Sequence, residues 1–130
     1  MIVLDTCTLL WLVAEPERLS QAAVSALRRH EASLAVVSIS AWEIAVKAGA
    51  GKLGLPPGIS PAEWFGQARA EYGLHELPLD SAVLCRTAAL PPIHRDPCDR
   101  FIIAAALYHH APVVTADPLF AAYPDLTVIW

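Results

Sequence analysis

The chain has 130 residues, of which 55% are hydrophobic, so it can form one compact domain over residues 1–130 with a substantial core. Its apolar runs are too short to span a bilayer and its N-terminus lacks a basic signal segment, so we expect a cytoplasmic protein without membrane contact. The formal net charge of −4 argues against binding nucleic acid through bulk positive charge, but it does not exclude a nuclease whose acids bind metal.

Short apolar runs and helical patterns alternate along the chain. In chain order, the sequence predicts a strand at 2–5, helices at 6–14 and 21–30, a strand at 34–37, helices at 41–48 and 61–72, a strand at 75–77, helices at 81–90 and 97–110, and strands at 112–115 and 126–129. Ser20, Ser40, Ser60 and Asp80 are the predicted N-caps of the second to fifth helices. This alternation predicts an α/β fold with a mostly parallel sheet covered on both faces.

Acidic residues recur where predicted strands end or helices begin. Asp5 ends the first strand, Glu43 begins the third helix, Asp96 and Asp99 begin the sixth, and Asp117 follows the fourth strand. If the first and fourth strands are neighbours, these acids gather at the carboxyl edge of the sheet, where open α/β folds place their sites. Clustered carboxylates bind hard cations, so the pattern predicts a site for Mg²⁺ or Mn²⁺.

Each of these acids also has a purely structural interpretation. Ser40 and Glu43 fit the S-x-x-E capping box, and Glu43 stands four residues before Lys47, as in a stabilising helical pair. Asp96 and Asp117 each precede a proline, which is typical of an N-cap. Capping alone does not explain why acids recur at several elements of one sheet, so the set favours a metal site.

Four segments stand out for their order and spacing. They are MIVLDT at residues 1–6, SISAWEI at 38–44, HRDPCDRFIIA at 94–104 and VTADPLF at 114–120. With these segments the chain closely resembles a PIN domain and, more narrowly, the VapC-type toxins of bacterial toxin–antitoxin modules. The resemblance extends over essentially the whole chain. It implies a PIN-like three-layer α/β/α fold with a mostly parallel sheet of about five strands.

The resemblance also implies a function. It is that of a metal-dependent endoribonuclease, the toxin of its module, which hydrolyses RNA with a metal-activated water and leaves a 5′-phosphate and a 3′-hydroxyl. The likeness assigns the Mg²⁺ (or Mn²⁺) site to Asp5, Glu43, Asp99 and Asp117, with Asp5 and Asp99 as the expected direct ligands. The expected partners are the RNA substrate, a cognate antitoxin protein and a second copy of the chain in a homodimer.

Residues beside the acids are predicted to support the site. Thr6 and Thr115 flank two of the acids and are expected to hydrogen-bond them. Asp96 is expected to cap its helix rather than bind metal. Arg100 is placed to meet a backbone phosphate or a nearby carboxylate, and the carboxylate is the favoured partner. For His94, a surface loop position is favoured over a role as general base.

The three cysteines show no CxxC spacing, which disfavours a disulfide framework and a zinc site. Cys7 and Cys98 stand where VapC-type toxins often have histidine and phenylalanine, and both are predicted to be core residues without a chemical role. Trp11, Trp42 and Trp64 lie in apolar helical patterns and are expected in the core or in an interface.

Interpretations from other classes remain open at this point. A receiver-like phosphoacceptor also gathers acids at parallel strand ends to hold Mg²⁺. Such domains usually have adjacent acids after the first strand and a lysine late in the sheet, whereas Asp5 stands alone and no lysine follows Lys52. The other alternative is a PIN domain that has lost catalysis and only binds partners, which the presence of all the expected acids disfavours.

Overall fold

The centre of the fold is a parallel sheet, seen in a computed structural model that describes all residues 1–130. The strands are β1 (Ile2–Leu4), β2 (Leu34–Val37), β3 (His75–Leu77), β4 (Val113–Val114) and β5 (Val128–Ile129). The helices are α1 (Thr6–Ala14), α2 (Gln21–Arg29), α3 (Ile39–Gly49), α4 (Pro61–Tyr72), α5 (Ser81–Ala88) and α6 (Pro97–Tyr108). Short 3₁₀ helices lie at Pro16–Arg18, Glu31–Ser33 and Pro118–Ala122.

The strands direct alternate side chains into two separate apolar clusters. Ile2 and Leu4 of β1 face a cluster of 14 buried residues that also draws on α1, α2 and α4. Val3, between them in sequence, faces a second cluster of 14 buried residues built with α5 and α6. A strand that is buried on both faces reads as a continuous apolar run, as this sequence does. The three-layer α/β/α arrangement and the predicted five parallel strands are confirmed.

The order of the strands creates the crevice in which a site is expected. The sheet runs β3-β2-β1-β4-β5, so the chain leaves β1 towards one edge and later returns to β4 on the other side of β1. At such a reversal the connections on either side diverge and open a crevice at the carboxyl ends of the strands. A receiver-like doubly wound sheet has the order 2-1-3-4-5 instead. The receiver-like interpretation is therefore wrong.

Most helix limits agree with the sequence prediction. The side chains of Ser20, Ser60 and Asp80 accept hydrogen bonds from backbone N–H groups in the first turns of α2, α4 and α5, as expected of N-caps. Helix α6 stops at Tyr108, short of the predicted 110, because His110 takes a left-handed backbone conformation with φ of 52° as the chain turns into β4. No helix combines the length and apolar character needed to cross a membrane.

The start of α3 differs from the prediction. The N-cap position is Ser38, and Ser40 lies inside the first turn, where its Oγ is 2.9 Å from Thr6 Oγ1. The capping box with Glu43 is therefore wrong, because a tertiary contact between two buried hydroxyls takes the Ser40 side chain away from the helix end. Thr6 correspondingly bonds a serine rather than an acid, which corrects its expected role. Glu43 has no capping function.

Candidate metal and active site

An acidic cleft of 350 Å³ opens beside the carboxyl ends of β1 and β4. It is lined by the beginning of α1, by one face of α3, by the beginning of α6 and by the loop that follows β4. The lining residues are Asp5, Thr6, Cys7, Trp11, Glu43, Lys47, Asp96, Asp99, Ala116 and Asp117. The fold thus brings together every acid singled out from the sequence, from segments that are far apart in the chain.

Asp5 is the most rigidly held of these acids. Its side chain caps α1, with Oδ1 accepting from the Thr8 N–H at 2.8 Å, and Oδ2 accepts from the Thr115 hydroxyl at 2.5 Å. Asp5 is 5% exposed, and its burial raises the pKa although the hydrogen bonds from Thr115 and Thr8 act to lower it. The Thr8 hydroxyl donates to Val114 O at 2.9 Å and fastens α1 to β4.

Glu43 supplies the evidence that the cleft suits a cation. Its Oε2 lies 3.1 Å from Lys47 Nζ, whereas Oε1 is buried without a hydrogen-bond partner. A buried carboxylate oxygen without a partner is costly, and a cation among oxygen ligands would remove that cost. Burial lowers the pKa of Lys47, but the hydrogen bond and the charge of Glu43 outweigh it, so the net shift is upward and Lys47 stays charged.

Asp99 lies in the first turn of α6 and faces the other acids. Burial is the main reason that the pKa of Asp99 rises to about 7, and the charges of Asp96, Glu43 and Asp5 add to the rise while His94 lowers it. Near neutral pH, the protein without a cation therefore holds a proton on a substantial fraction of Asp99. A cation in the cleft would favour the ionised carboxylate and displace that proton.

Asp96 and Asp117 combine capping with a position in the cleft. Asp96 Oδ1 accepts from the Cys98 N–H at 2.9 Å and caps α6, as predicted. Asp117 Oδ1 accepts from the Leu119 N–H at 2.9 Å and caps the 3₁₀ helix that follows. Each of these side chains therefore both caps a helix and lines the cleft, which is possible because a carboxylate has more lone pairs than one cap uses.

His94 is the residue that sequence reasoning missed. It is 9% exposed, so the favoured surface position was wrong, and its Nε2 lies 2.7 Å from Asp117 Oδ2 and 3.1 Å from Asp99 Oδ2. The ligating atoms of these side chains all lie within 4.8 Å of one another. The sequence offered one signal for this role, which is that His94 stands two residues before the capping Asp96. In the structure its Nδ1 accepts from the Asp96 N–H at 3.1 Å.

Arg100 does not contact the carboxylate that was its favoured partner. Its guanidinium donates to the backbone oxygens of Pro91 at 2.8 Å and of Thr87 and Leu90 at 3.2 Å each, and to Tyr123 Oη at 3.2 Å. These carbonyls belong to the end of α5 and to the connector that follows it. Arg100 therefore satisfies the C-terminal end of a helix and holds the connector against α6, which corrects the predicted carboxylate contact.

The cysteines and tryptophans divide between core and surface. Cys98 is buried as predicted, and burial raises its pKa to about 11, which leaves an unreactive thiol. Cys7 is exposed and lines the cleft, so its predicted core position was wrong. Trp64 is 7% exposed and belongs to the core, whereas Trp42 is 59% exposed on α3, outside the core.

These features define an α/β protein whose reversal in strand order carries a cleft of carboxylates suited to a divalent cation. Residues 2–126 match the family model of the PIN domain, and the chain belongs to the PIN-domain family. It is 33% identical to Ribonuclease VapC22 of Mycobacterium tuberculosis (strain ATCC 25618 / H37Rv), over 99% of this chain and 98% of that protein.

Solved structures show the same fold. The DNA-bound VapBC of Salmonella typhimurium aligns with a TM-score of 0.69 at 17% identity, covering 98% of this chain and 95% of that chain. A toxin–antitoxin complex from Klebsiella pneumoniae aligns with a TM-score of 0.65 at 18% identity, covering 98% of this chain and 96% of that chain. The family model and the solved structures both confirm the predicted PIN-like architecture.

Proposed function

We propose that this chain, acting as one PIN-like domain over residues 1–130, is a metal-dependent endoribonuclease and the toxin of a toxin–antitoxin module. The observation that carries the proposal is the gathering of Asp5, Glu43, Asp99 and Asp117 around one cleft. It is supported by 33% identity to a ribonuclease along nearly the whole chain. The reaction is the hydrolysis of RNA phosphodiester bonds.

The cleft residues would divide the work as follows. Asp5 and Asp99 would hold Mg²⁺ or Mn²⁺ directly, and Glu43 Oε1 and Asp117 would bind the ion or water in its shell. When bound, a divalent cation polarises the scissile phosphate and lowers the pKa of water. Thr115 and the Thr8 N–H fix the direction in which Asp5 points.

The remaining charge in the cleft belongs to Lys47. Its ammonium group lines the cleft and is shared with Glu43 Oε2. A positive group at this position attracts a phosphate to an otherwise acidic cleft and partly balances the charge of the acids. Lys47 thus gives a chain with a net charge of −4 a positive group in the cleft that would bind the polyanionic RNA.

The partners follow from the relatives. The Klebsiella pneumoniae structure is a toxin–antitoxin complex, and one chain of that complex shares its fold with 98% of this chain. We therefore expect a cognate antitoxin protein to bind this chain and to hold it inactive. A homodimer and a cytoplasmic location remain predictions.

The decisive experiment is RNA cleavage by the purified, antitoxin-free protein. Total bacterial RNA is incubated with the parent, with Asp5→Asn and with Asp125→Asn, in Mg²⁺, in Mn²⁺ and in EDTA. Asparagine caps helices about as well as aspartate, so Asp5→Asn keeps the α1 cap and removes the charge. Asp125 is exposed with φ of 64°, a conformation that asparagine also adopts, so Asp125→Asn is a matched control.

We expect cleavage by the parent and by Asp125→Asn in either metal, none in EDTA, and none by Asp5→Asn. Fragments with 5′-phosphate ends would support hydrolysis of the proposed kind. Equal cleavage by Asp5→Asn would reveal a contaminating nuclease and contradict the proposal. A folded parent that binds Mn²⁺ but cuts no RNA would favour the binding-only alternative.

A further inference from the structure

His94 connects acids that belong to different elements of the fold. It lies in the connector between α5 and α6, yet its Nε2 reaches Asp117, after β4, at 2.7 Å and Asp99, on α6, at 3.1 Å. No other side chain donates to either of these carboxylates. His94 is thus the one side chain that links these two carboxylates to each other.

The ring itself is held on its other sides. The His94 backbone N–H donates to Tyr123 Oη at 2.8 Å, and Nδ1 accepts from the Asp96 N–H at 3.1 Å. Phe120 packs edge-on against the imidazole, with ring centroids 5.8 Å apart and planes at 86°. These contacts fix the plane and the direction of the imidazole, so Nε2 has a single place to point.

The hydrogen bonds also fix the position of the ring proton. A nitrogen that accepts a hydrogen bond carries no proton of its own, and Nδ1 of His94 accepts from a backbone amide. The single proton of the neutral imidazole then resides on Nε2, which points at the two carboxylates. In this tautomer Nε2 is a donor and has no lone pair to offer a cation.

We infer that His94 is a positioning residue, whose Nε2–H bridges Asp117 Oδ2 and Asp99 Oδ2 and holds them in the orientation that binds the cation, without ligating the cation itself. This inference rests on the proposed function. Groups that orient metal ligands in this way contribute about 10-fold to 100-fold to metal affinity. The sequence HRDPCDR thus contributes a donor at His94 in addition to its acids.

The anchoring of His94 also gives Arg100 a purpose. Arg100 donates to Tyr123 Oη at 3.2 Å, and the same oxygen accepts from the His94 N–H. By binding Pro91 O at 2.8 Å as well, Arg100 fixes the connector that carries His94. The arginine thus holds the segment that carries His94 and contacts no carboxylate itself.

The test compares two amide replacements of His94, each of which mimics one nitrogen of the imidazole, in a Mn²⁺ titration. In His94→Gln the amide nitrogen stands near the position of Nε2 and can still donate to the acids, while the Nδ1 acceptor is lost. In His94→Asn the shorter side chain keeps an acceptor near Nδ1 and loses the donor. We expect His94→Asn to weaken Mn²⁺ binding about 10-fold or more and His94→Gln to stay within about threefold of the parent.

A measurement on the parent protein tests the inference even if a variant fails to fold. Two-bond ¹H–¹⁵N correlation spectra of the parent in EDTA should show His94 protonated at Nε2 and not at Nδ1. A proton on Nδ1, or loss of the Nε2 proton when Mg²⁺ is added, would overturn the inference, because the ring would then be a ligand.

The outcomes separate this inference from the proposed function. If the parent binds Mn²⁺ and the glutamine and asparagine variants bind it equally well, only the role of His94 is wrong. If the parent binds no Mn²⁺ and cleaves no RNA, the proposed function is wrong, whatever the tautomer of His94. The expected pattern is tight binding by the parent and by His94→Gln, with weak binding by His94→Asn alone.

Discussion

The acids of the cleft fall into two groups that are held in different ways. Asp5, Asp96 and Asp117, the held acids, each accept a hydrogen bond from the backbone N–H of a helical turn. Glu43 and Asp99, the open acids, accept none from any backbone amide or hydroxyl, and Glu43 Oε1 has no partner at all. Backbone hydrogen bonds fix the orientation of the held acids, whereas the open acids have carboxylate oxygens that no backbone group satisfies and that a cation would meet.

The largest effect should come from removing the charge of an open acid and, separately, that of a held acid at the start of the same helix, α6. Asp99→Asn removes an open acid and a proposed ligand, so we expect metal-dependent RNA cleavage to fall roughly 1000-fold. Asp96→Asn keeps the cap of α6 and removes no ligand, so we expect a change of about threefold at most. Initial rates on one RNA in Mg²⁺ measure both. Similar losses in the two variants would erase the distinction between held and open acids.

The next effect concerns the stability that the folded protein loses by holding an open acid, Asp99, when no cation is bound. The pKa of Asp99 rises from 3.8 to about 7 on folding. Between these pH values the folded state therefore keeps a proton on Asp99 that the unfolded state has released. The contribution of Asp99 to stability should therefore fall as pH rises from about 4 to about 7, and its full cost remains above that range. In EDTA at pH 8 we expect Asp99→Asn to be more stable than the parent by roughly 2 kcal/mol, with no gain at pH 4.

Urea unfolding at both pH values checks this sign, with Asp125→Asn as the exposed control. A gain of the same size at pH 4 and pH 8 would show that the asparagine acts through packing rather than through charge.

A third effect tests how a held acid is oriented. Thr115 is 1% exposed and its hydroxyl donates to Asp5 Oδ2, so Thr115→Val leaves that oxygen without its donor. We expect Mn²⁺ affinity to fall about 10-fold in Thr115→Val. Thr115→Ser keeps the hydroxyl and should bind Mn²⁺ within about threefold of the parent. Calorimetric titration compares them, and equal weakening in both would assign the loss to the missing methyl group.

The smallest effect should come from Lys47, which competes with a cation for Glu43. Its ion pair with Glu43 is partly exposed and is worth about 0.5 kcal/mol or less. Lys47→Met frees Glu43 Oε2, so we expect Mn²⁺ to bind about twofold to threefold more tightly while RNA cleavage declines. Lys52→Met, at an exposed position on the following loop, is the control. Weaker Mn²⁺ binding in Lys47→Met would mean that Lys47 supports the site rather than competes for it.

The fold was largely accessible from the sequence because it depends on local patterns. Buried parallel strands appear as continuous apolar runs, and side-chain caps mark helix starts at Ser20, Ser60 and Asp80. The sequence did not show that β1 and β4 are neighbours, since strand order is set by long-range packing. The acids lie together because these two strands pair.

The parts that escaped prediction depend on contacts between distant segments. Ser40 resembles a cap, but its partner is Thr6. Arg100 was expected to pair with a carboxylate, but it binds carbonyl oxygens at and beyond the end of α5. His94 resembles a surface residue because the sequence around it is a polar connector. Its burial comes from Phe120 and Tyr123, which arrive from the far end of the chain.

The double use of Asp5 has a practical consequence for anyone who handles a toxic nuclease. One carboxylate both starts α1 and faces the cleft, so most replacements would damage the helix and the chemistry together. Asparagine is the exception, because it keeps the oxygen that the Thr8 N–H requires. Asp5→Asn should therefore give a harmless replica with the native shape, which cells can tolerate and which can be used to capture an uncut RNA or the antitoxin.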